Sequence, residues 1–251
     1  MKKNKLKTLS VGLIPVRLNS SRLFKKALLE IDKIPMVVHT YKRAVLSKSL
    51  EKVFICTDSS EIFRVAKRFG CNVIKTGAAN TGTDRISEAA EKLKKNYELY
   101  VDIQGDEPLI NPKHIDKVIE WHSKNMNYDI VVPSLSLRDA NNPNIVKIVE
   151  TKNKVLYFSR AAVPYPYNKK NNYYSKHLSV ISFKPKSLKQ FRKLPRGKIE
   201  KIEGIELMRA LENDMKIGTF RLNGSSFSVD TNDDFIKALK FMNIDKIRKK
   251  Y

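Results

Sequence analysis

Short apolar runs alternate with amphipathic helical patterns through the first half of this chain of 251 residues. Residues 11–14, 53–56 and 99–104 have the apolar content of buried strands, and a helical pattern covers residues 36–46. A second helical pattern places its apolar residues at i, i+3, i+4 and i+7, namely at Ile62, Val65, Ala66 and Phe69. Repeated strand–helix units of this kind predict an α/β fold with a largely parallel sheet covered by helices.

The second half changes character and favours antiparallel pairing. Residues 145–149 and 155–159 flank a Lys-Asn-Lys sequence at 152–154 and are typical of a hairpin. The remaining elements are predicted as a loop over 165–176, a strand over 177–183, a helix over 199–212, a strand over 216–222 and a closing helix from Thr231. We expect one domain over residues 1–251, within which about 145–215 form a smaller antiparallel lobe.

A formal net charge of +23 is the unusual feature of the composition. It is compatible with a nucleic-acid binder, with a protein that works near anionic membranes, and with a lysine-rich enzyme for anionic substrates. Most of the charge is lysine dispersed along the chain, without zinc-finger spacing or an aromatic–basic RNA signature. This dispersion favours a solvated surface, and we expect no nucleic acid as partner.

The two cysteines, Cys56 and Cys71, lie inside apolar runs, which argues against a disulfide scaffold and a cysteine-based metal site. The basic start and the apolar residues 9–16 superficially resemble a signal peptide. That run is short, contains Pro15 and leads into Arg17, so a first strand is the better interpretation. No run approaches the ~18 apolar residues of a transmembrane helix. We expect a cytoplasmic protein without membrane insertion.

The apolar run that ends at Ile103 is followed directly by Gln-Gly-Asp-Glu-Pro at residues 104–108. Such a pattern is typical of a buried strand that delivers carboxylates to the edge of a sheet. In open α/β folds this edge is where ligands and metals bind. Acids held there in so basic a chain indicate a metal ion and a phosphate-rich ligand.

A basic loop over residues 17–26 follows the first strand, where α/β proteins commonly bind phosphates. Its Arg17, Arg22 and Lys26, together with two serines, could surround an oligophosphate, since arginine grips oxygens bidentately and lysine acts as a point charge. Charge alone is equally compatible with a solvated basic loop.

Several short motifs occur in the order found in the sugar-acid cytidylyltransferases. They are Ile14-Pro15-Val16-Arg17, Ser20-Ser21-Arg22-Leu23 with Lys26, Gly82-Thr83-Asp84-Arg85, residues 101–108, residues 142–147, Tyr157-Phe158-Ser159-Arg160-Ala161 with Pro164, His177-Leu178 and Val229-Asp230-Thr231. From residue 11 to about 240 the chain resembles this family, with its 3-deoxy-manno-octulosonate (Kdo) branch the most similar.

The resemblance implies a Rossmann-like nucleotide-diphospho-sugar transferase fold, with a mostly parallel mixed sheet flanked by helices. It implies transfer of CMP from CTP to a 3-deoxy sugar acid, with release of pyrophosphate and with Mg²⁺ between nucleotide and sugar. Family members are commonly homodimers, and the lobe in the second half would be the natural contact region. Phosphoryl-type transfer depends on positioning and charge neutralisation, and Mg²⁺ prefers one or two carboxylates plus phosphate oxygens and water.

The resemblance also assigns roles to individual residues. The metal ligands would be Asp106 and Asp230, although Asp230 alone could equally cap the last helix. Residues expected around the nucleotide are Arg17, Ser21, Arg22, Lys26, Gly82, Thr83, Arg85 and Asp106, of which Arg17, Lys26 and Asp106 would be catalytic. Residues expected around the sugar acid are Gln104, Arg160, His177 and Glu206. Arg160 would hold the sugar carboxylate, whereas His177 taken alone would be structural.

Several positions depart from the family pattern. Phe24-Lys25 replaces Pro-Gly, Ala79 replaces a histidine, and Ile181 and Leu207 replace a tyrosine and a glutamine on the sugar side. These substitutions on the sugar side indicate an acceptor that is a variant sugar acid, such as an amino-Kdo, rather than Kdo itself. The alternatives are a sialic-type acceptor, a basic nucleic-acid-binding protein on the same fold, and an inactive paralogue.

Overall fold

The computed structural model of the chain describes residues 8–20, 23–167 and 174–251. Its strands are β1 Ser10–Pro15, β2 Glu30–Ile31, β3 Ile34–Pro35, β4 Leu50–Thr57, β5 Val73–Lys75, β6 Leu99–Ile103, β7 Ile130–Val131, β8 Ser134–Leu137, β9 Lys147–Thr151, β10 Lys154–Ser159, β11 Tyr174–His177, β12 Val180–Phe183, β13 Ile217–Gly218 and β14 Arg221–Leu222. Its α-helices are α1 Met36–Val45, α2 Ser60–Arg68, α3 Gly82–Glu91, α4 Pro112–Lys124, α5 Pro185–Lys193, α6 Lys198–Glu203, α7 Met208–Leu211 and α8 Asn232–Ile244. Short 3-10 helices cover Lys26–Leu28 and Arg248–Lys250.

The first half forms the parallel region that the strand–helix alternation predicts. Strands β5, β4, β1 and β6 lie side by side, and each neighbouring pair is parallel. In β1, Val11 and Leu13 pack into one apolar cluster, whereas Ile14 packs into a second apolar cluster. Helices cover both faces, so β1 is buried along its whole length. The carboxyl ends of β1 and β6 therefore meet at one edge of the sheet.

The second half extends the same sheet in mixed directions. Beyond β6 the order continues as β12, β7, β13, β10, β9, β11, β8 and β14. The predicted hairpin is present as β9 and β10, and its turn residues Lys152 and Asn153 both have positive φ. Two such residues suit the type of turn that matches strand twist in a two-residue hairpin. The α/β class, the mixed sheet and the antiparallel lobe are thus as expected.

Several predicted strand boundaries are wrong for a common reason. Each strand begins and ends where it pairs with a partner that is distant in sequence. Residues 174–176, expected in a loop, belong to β11, which lies between β8 and β9. The expected strand over 177–183 is interrupted because β11 pairs in the lobe, whereas β12 pairs with β6 and β7. The expected strand over 216–222 is likewise divided into β13 and β14, which pair with β7 and β8 respectively.

The expected helix over 199–212 ends early at Gly204. This glycine has a φ of +62°, a left-handed conformation that terminates α6 after six residues. The chain then resumes a short helix, α7. Glu206 lies in the turn that connects the two helices.

Helix caps in the first half use residues that commonly occur at helix ends. The Thr81 hydroxyl accepts a hydrogen bond from the Asp84 amide at 3.1 Å and so begins α3. Gly70, with a φ of +73°, follows the end of α2. At the other end of the chain, α8 packs on a third apolar cluster that includes Ile31, Met36 and Val229. Within residues 8–20, 23–167 and 174–251, no helix is both long enough and apolar enough to cross a membrane.

Candidate active site

Two adjoining cavities open at the edge where β1 and β6 end. They have volumes of about 440 and about 500 Å³. Both are lined by the same five residues, which are Gln104, Asp106, Gly204, Glu206 and Asp230. The first cavity adds residues of the basic loop and of the α3 N-terminus, and the second adds residues of the antiparallel lobe. The resulting site has room for two ligands that meet at Asp106.

The turn at residues 104–108 is held against the first loop. A Cβ atom on Gly105 would lie 2.6 Å from Val16 Cγ1, so glycine alone permits this approach without a shift. The Gly105 carbonyl also accepts a hydrogen bond from the Thr40 hydroxyl of α1 at 3.2 Å. The sequence therefore fixes Asp106 beside the basic loop.

Asp106 and Asp230 converge on one ammonium group although they are far apart in sequence. Lys26 Nζ lies 2.6 Å from Asp106 Oδ2 and 3.3 Å from Asp230 Oδ1. The helix that follows is capped by Thr231, whose hydroxyl and amide exchange hydrogen bonds with Asp234. Asp230 is therefore not the N-cap of α8, and its carboxylate faces the site.

These two carboxylates fit Mg²⁺ in kind and number. Magnesium accepts one or two carboxylates and completes its octahedron with phosphate oxygens and water. Within residues 8–20, 23–167 and 174–251, no group of three or more His, Cys, Asp or Glu side chains is arranged to hold a metal. A metal at Asp106 and Asp230 would thus depend on oxygens from a bound nucleotide.

The first loop presents its polar side chains to the first cavity. Arg17 is exposed and Ser20 is half-buried, and both line the cavity with Lys26. Lys25, which has a positive φ, is tied to α2 by its ion pair with Glu61 at 2.7 Å. The predicted nucleotide ligands Ser21 and Arg22 lie outside the described residues.

Of the three residues predicted at the α3 N-terminus, two line the first cavity and one lies behind it. Gly82 lines the first cavity. The buried Thr83 donates its amide to Glu206 Oε2 at 3.2 Å and lines neither cavity. Arg85 lines the first cavity but is almost fully buried, and it donates to Thr76 Oγ1 at 2.7 Å. Its contacts hold the β5–α3 loop in place.

Among the residues predicted around the sugar acid, Gln104 is oriented by a buried acid. Its Nε2 donates to Asp102 Oδ2 at 2.9 Å. Burial, together with the nearby Glu206 carboxylate, raises the pKa of Asp102 well above its usual range. Burial also raises the pKa of Glu206. The Gln104 amide is therefore presented to both cavities in a fixed orientation.

Arg160 is placed beside the second cavity by backbone contacts. Its Nε donates to the Glu203 carbonyl at 2.9 Å, and its two terminal nitrogens donate to the carbonyls of Pro143 and Gly204 at 2.9 and 3.2 Å. The guanidinium thus fastens the α6 C-terminus to residues 142–144. The remaining N–H groups of its fork could contact a carboxylate in the cavity.

His177 also lines the second cavity, at the end of β11. Its ring packs edge-on against Phe158 with centroids 6.0 Å apart. Burial lowers the pKa of His177 to about 4, so the imidazole is neutral at pH 7. A neutral ring can orient a hydroxyl but does not neutralise a carboxylate.

Sequence reasoning missed six charged residues that line the cavities, which are Arg196 and Glu200 in the first and Lys176, Asp233, Asp234 and Lys237 in the second. Arg196 and Glu200 form an ion pair at 3.1 Å. Glu200 is also paired with the buried Arg209 at 2.8 Å. Nothing in the local sequence distinguishes these residues from the many other charges.

Comparison with known proteins identifies the family. Residues 11–217 match the family model described as cytidylyltransferase. The 3-deoxy-manno-octulosonate cytidylyltransferase of Thermodesulfovibrio yellowstonii is 38% identical over 93% of this chain and 98% of its own length. The chain belongs to this cytidylyltransferase family.

Two further relatives bear on the sugar side. An 8-amino-3,8-dideoxy-manno-octulosonate cytidylyltransferase of Shewanella halifaxensis is 37% identical over 88% of this chain and 94% of its own length. A solved structure of CMP:2-keto-3-deoxy-manno-octonic acid synthetase in complex with CTP superposes with a TM-score of 0.88 at 30% identity. That alignment covers 94% of this cytidylyltransferase and 99% of the solved chain.

Proposed function

We propose that this cytidylyltransferase transfers CMP from CTP to the anomeric hydroxyl of Kdo or a close analogue and releases pyrophosphate. The observation that carries the proposal is the convergence of Asp106, Asp230 and Lys26 where two cavities meet. The family membership and the likeness to a CTP-bound synthetase support the same reaction. Its product would serve the synthesis of cell-surface polysaccharide or lipopolysaccharide.

In the proposed reaction the sugar hydroxyl attacks the α-phosphorus of CTP. A new phosphorus–oxygen bond forms, the bond to pyrophosphate breaks, and the hydroxyl proton is released to water. Lys26 and Arg17 would neutralise charge on the α-phosphate and on the leaving pyrophosphate. Asp106 and Asp230 would hold Mg²⁺, which supplies further charge neutralisation when bound.

The second cavity would bind the acceptor. Gln104, Arg160, His177 and Glu206 all line it, as expected for contacts with a sugar acid. Ile181 and Leu207 give the same cavity two apolar walls. Because the family pattern has a tyrosine and a glutamine at these two positions, Kdo would lose polar contacts here, and 8-amino-Kdo is the first analogue to test beside it.

Pyrophosphate release tests the proposal. The purified protein is incubated with CTP, Mg²⁺ and, in separate reactions, Kdo, 8-amino-Kdo and a sialic acid. We expect release with Kdo or 8-amino-Kdo and little with the sialic acid. Absence of release with every acceptor, together with salt-sensitive DNA binding, would favour the nucleic-acid alternative instead. Absence of both would indicate an inactive paralogue.

We further propose a homodimer in the cytoplasm. Large apolar side chains are exposed in the lobe at Leu156, Tyr165, Tyr167 and Ile202, a pattern suited to a contact between copies. Cys56 and Cys71 are free and buried, which is compatible with a reducing compartment. Light scattering after size-exclusion chromatography would measure the mass, and a monomer at micromolar concentration would contradict the dimer.

A further inference from the structure

Residues 225–230, which carry Asp230 into the site, have no helix or strand of their own. Nevertheless Val229 is fully buried, and Ser226 and Ser228 line the second cavity. Regular backbone pairing cannot fix this segment, so its position must come from individual tertiary contacts.

Three long-range hydrogen bonds supply those contacts, beside a local one from the Asp230 amide to Asp234 Oδ2 at 3.2 Å. The Val229 amide donates to the Asp106 carbonyl at 3.0 Å, and the Ser228 hydroxyl donates to Glu107 Oε1 at 3.2 Å. Lys176 Nζ donates to the Ser226 carbonyl at 2.9 Å. Two of the three partners, Asp106 and Glu107, belong to the turn at residues 104–108. The turn that carries Asp106 thus anchors the segment that carries Asp230.

The position of Glu107 is energetically unfavourable for a carboxyl group. Its side chain is 1% exposed and lines neither cavity. Its second oxygen, Oε2, has no hydrogen-bond partner within the part of the chain that the structure describes. Burying a carboxyl group with incomplete hydrogen bonding is unfavourable, because its lost hydration is only partly replaced. An apolar side chain would suit the fold better, so the polar contacts of Glu107, with the Ser228 hydroxyl and with the nearby Ser179, are what distinguish glutamate.

We propose that Glu107 is a positioning residue that fixes Asp230 opposite Asp106 by holding Ser228. It touches no substrate and acts through the 225–230 segment. The inference rests on the proposed function, since it assumes that the two aspartates bind a metal together.

The test measures Mn²⁺ binding by electron paramagnetic resonance, in the presence of a CTP analogue with a methylene group between the α- and β-phosphorus. Glu107→Leu and Ser228→Ala remove the contact from either side, and each should weaken Mn²⁺ binding by about tenfold, as for other residues that orient metal ligands. Glu107→Gln retains an oxygen acceptor for Ser228 and should bind Mn²⁺ nearly as the parent protein does. Ser225→Ala, an exposed serine in the same segment, is the matched control and should cause no change.

The double variant separates a shared contact from two independent effects. Glu107→Leu with Ser228→Ala should bind Mn²⁺ no more weakly than Glu107→Leu alone, because the leucine has already removed the hydrogen bond that Ser228→Ala would remove. Unchanged Mn²⁺ binding in a folded Glu107→Leu variant would overturn the positioning role and leave the proposed function intact. If the leucine variant does not fold, unchanged binding in Ser228→Ala would have the same meaning. If the parent protein itself binds no Mn²⁺ with the analogue, the metal assignment of the proposed function fails and this inference falls with it.

Discussion

At the scale of single residues, the chemistry of the site depends on a few side chains whose burial and partners differ sharply. Asp106 and Asp230 share Lys26 and remain partly exposed, whereas Asp102 and Glu107 are buried. The sequence motifs identified the first pair, because acids that follow apolar strands are conspicuous. They did not identify the buried pair, because burial depends on what packs over the turn.

Asp106→Asn should abolish turnover without unfolding the protein. The amide keeps the shape of the side chain but loses the charge that would hold Mg²⁺, so we expect kcat to fall by at least ~100-fold. Asp214→Asn is a suitable control, because Asp214 is exposed with a φ of +57°, a conformation that asparagine tolerates. Pyrophosphate release measures turnover, and circular dichroism measures folding. Turnover near the parent level at ordinary Mg²⁺ would contradict the metal role.

His122 should make stability depend on pH. Its ring is fully buried, it is 2.8 Å from Ser182 Oγ, and burial lowers its pKa to about 4. Below pH 6.5 the unfolded chain binds a proton at this residue that the folded chain does not, so folded-state stability falls as the pH falls. From pH 7.5 to pH 5 this contribution amounts to ~2 kcal/mol.

The His122→Gln variant isolates that contribution. The substitution should lower the free energy of unfolding by ~2 kcal/mol less at pH 5 than at pH 7.5. The reason is that the parent protein loses stability through His122 as the pH falls, whereas the variant does not. Urea titrations at the two pH values measure the difference. An equal loss at both would show that His122 titrates normally in the folded protein.

At the scale of elements, the break between α6 and α7 matters most for the acceptor cavity. Gly204 ends α6 in the left-handed conformation, and its carbonyl accepts a hydrogen bond from Arg160. The helical pattern over 199–212 could not reveal this break, since the residues on both sides fit one amphipathic helix. The elements of the first half were predictable because their apolar periodicity is local. Those of the second half depend on which distant strand each one pairs with.

Gly204→Ala should lower stability by ~1–2 kcal/mol, because an L-residue is strained at this φ. It should also raise the KM for the sugar acid, since relaxation of the strain would move the carbonyl that holds Arg160. Gly70→Ala is a matched control, for Gly70 has a similar φ of +73° and nothing within 4 Å of an added Cβ.

Thermal unfolding and steady-state kinetics on both glycine variants separate the two effects. Both should lose similar stability, and the Gly204 variant alone should show a raised acceptor KM with the KM for CTP unchanged. Equal kinetics in the two variants would mean that Arg160 is held independently of the helix break.

At the scale of the whole molecule, the lobe and the parallel region share one continuous sheet. Strand β13 pairs with β7 on one side and with β10 on the other, so it joins the two regions edge to edge. The sequence predicted both regions but not this junction, because β13 is two residues long and its partners lie more than 50 positions away. The single-domain organisation over 1–251 stays a prediction.

That organisation predicts one cooperative unfolding transition. Trp121, the single tryptophan of the sequence, stacks on Phe220 at 5.2 Å in the covering layer of the sheet. Its fluorescence and the far-UV circular dichroism should give coincident curves in guanidinium chloride. A lobe that unfolds by itself would produce an earlier step in circular dichroism without a change in fluorescence.

The junction at β13 also constrains how the chain can fold while it is being synthesised. Until Ile217–Gly218 leave the ribosome, β7 and β10 each lack the neighbour that they have in the finished sheet. Unpaired strand edges are templates for association with other chains. The nascent polypeptide therefore carries two unpaired strand edges from the synthesis of β7 and β10 until β13 emerges, and premature termination before residue 217 should yield an aggregating fragment rather than a smaller soluble protein.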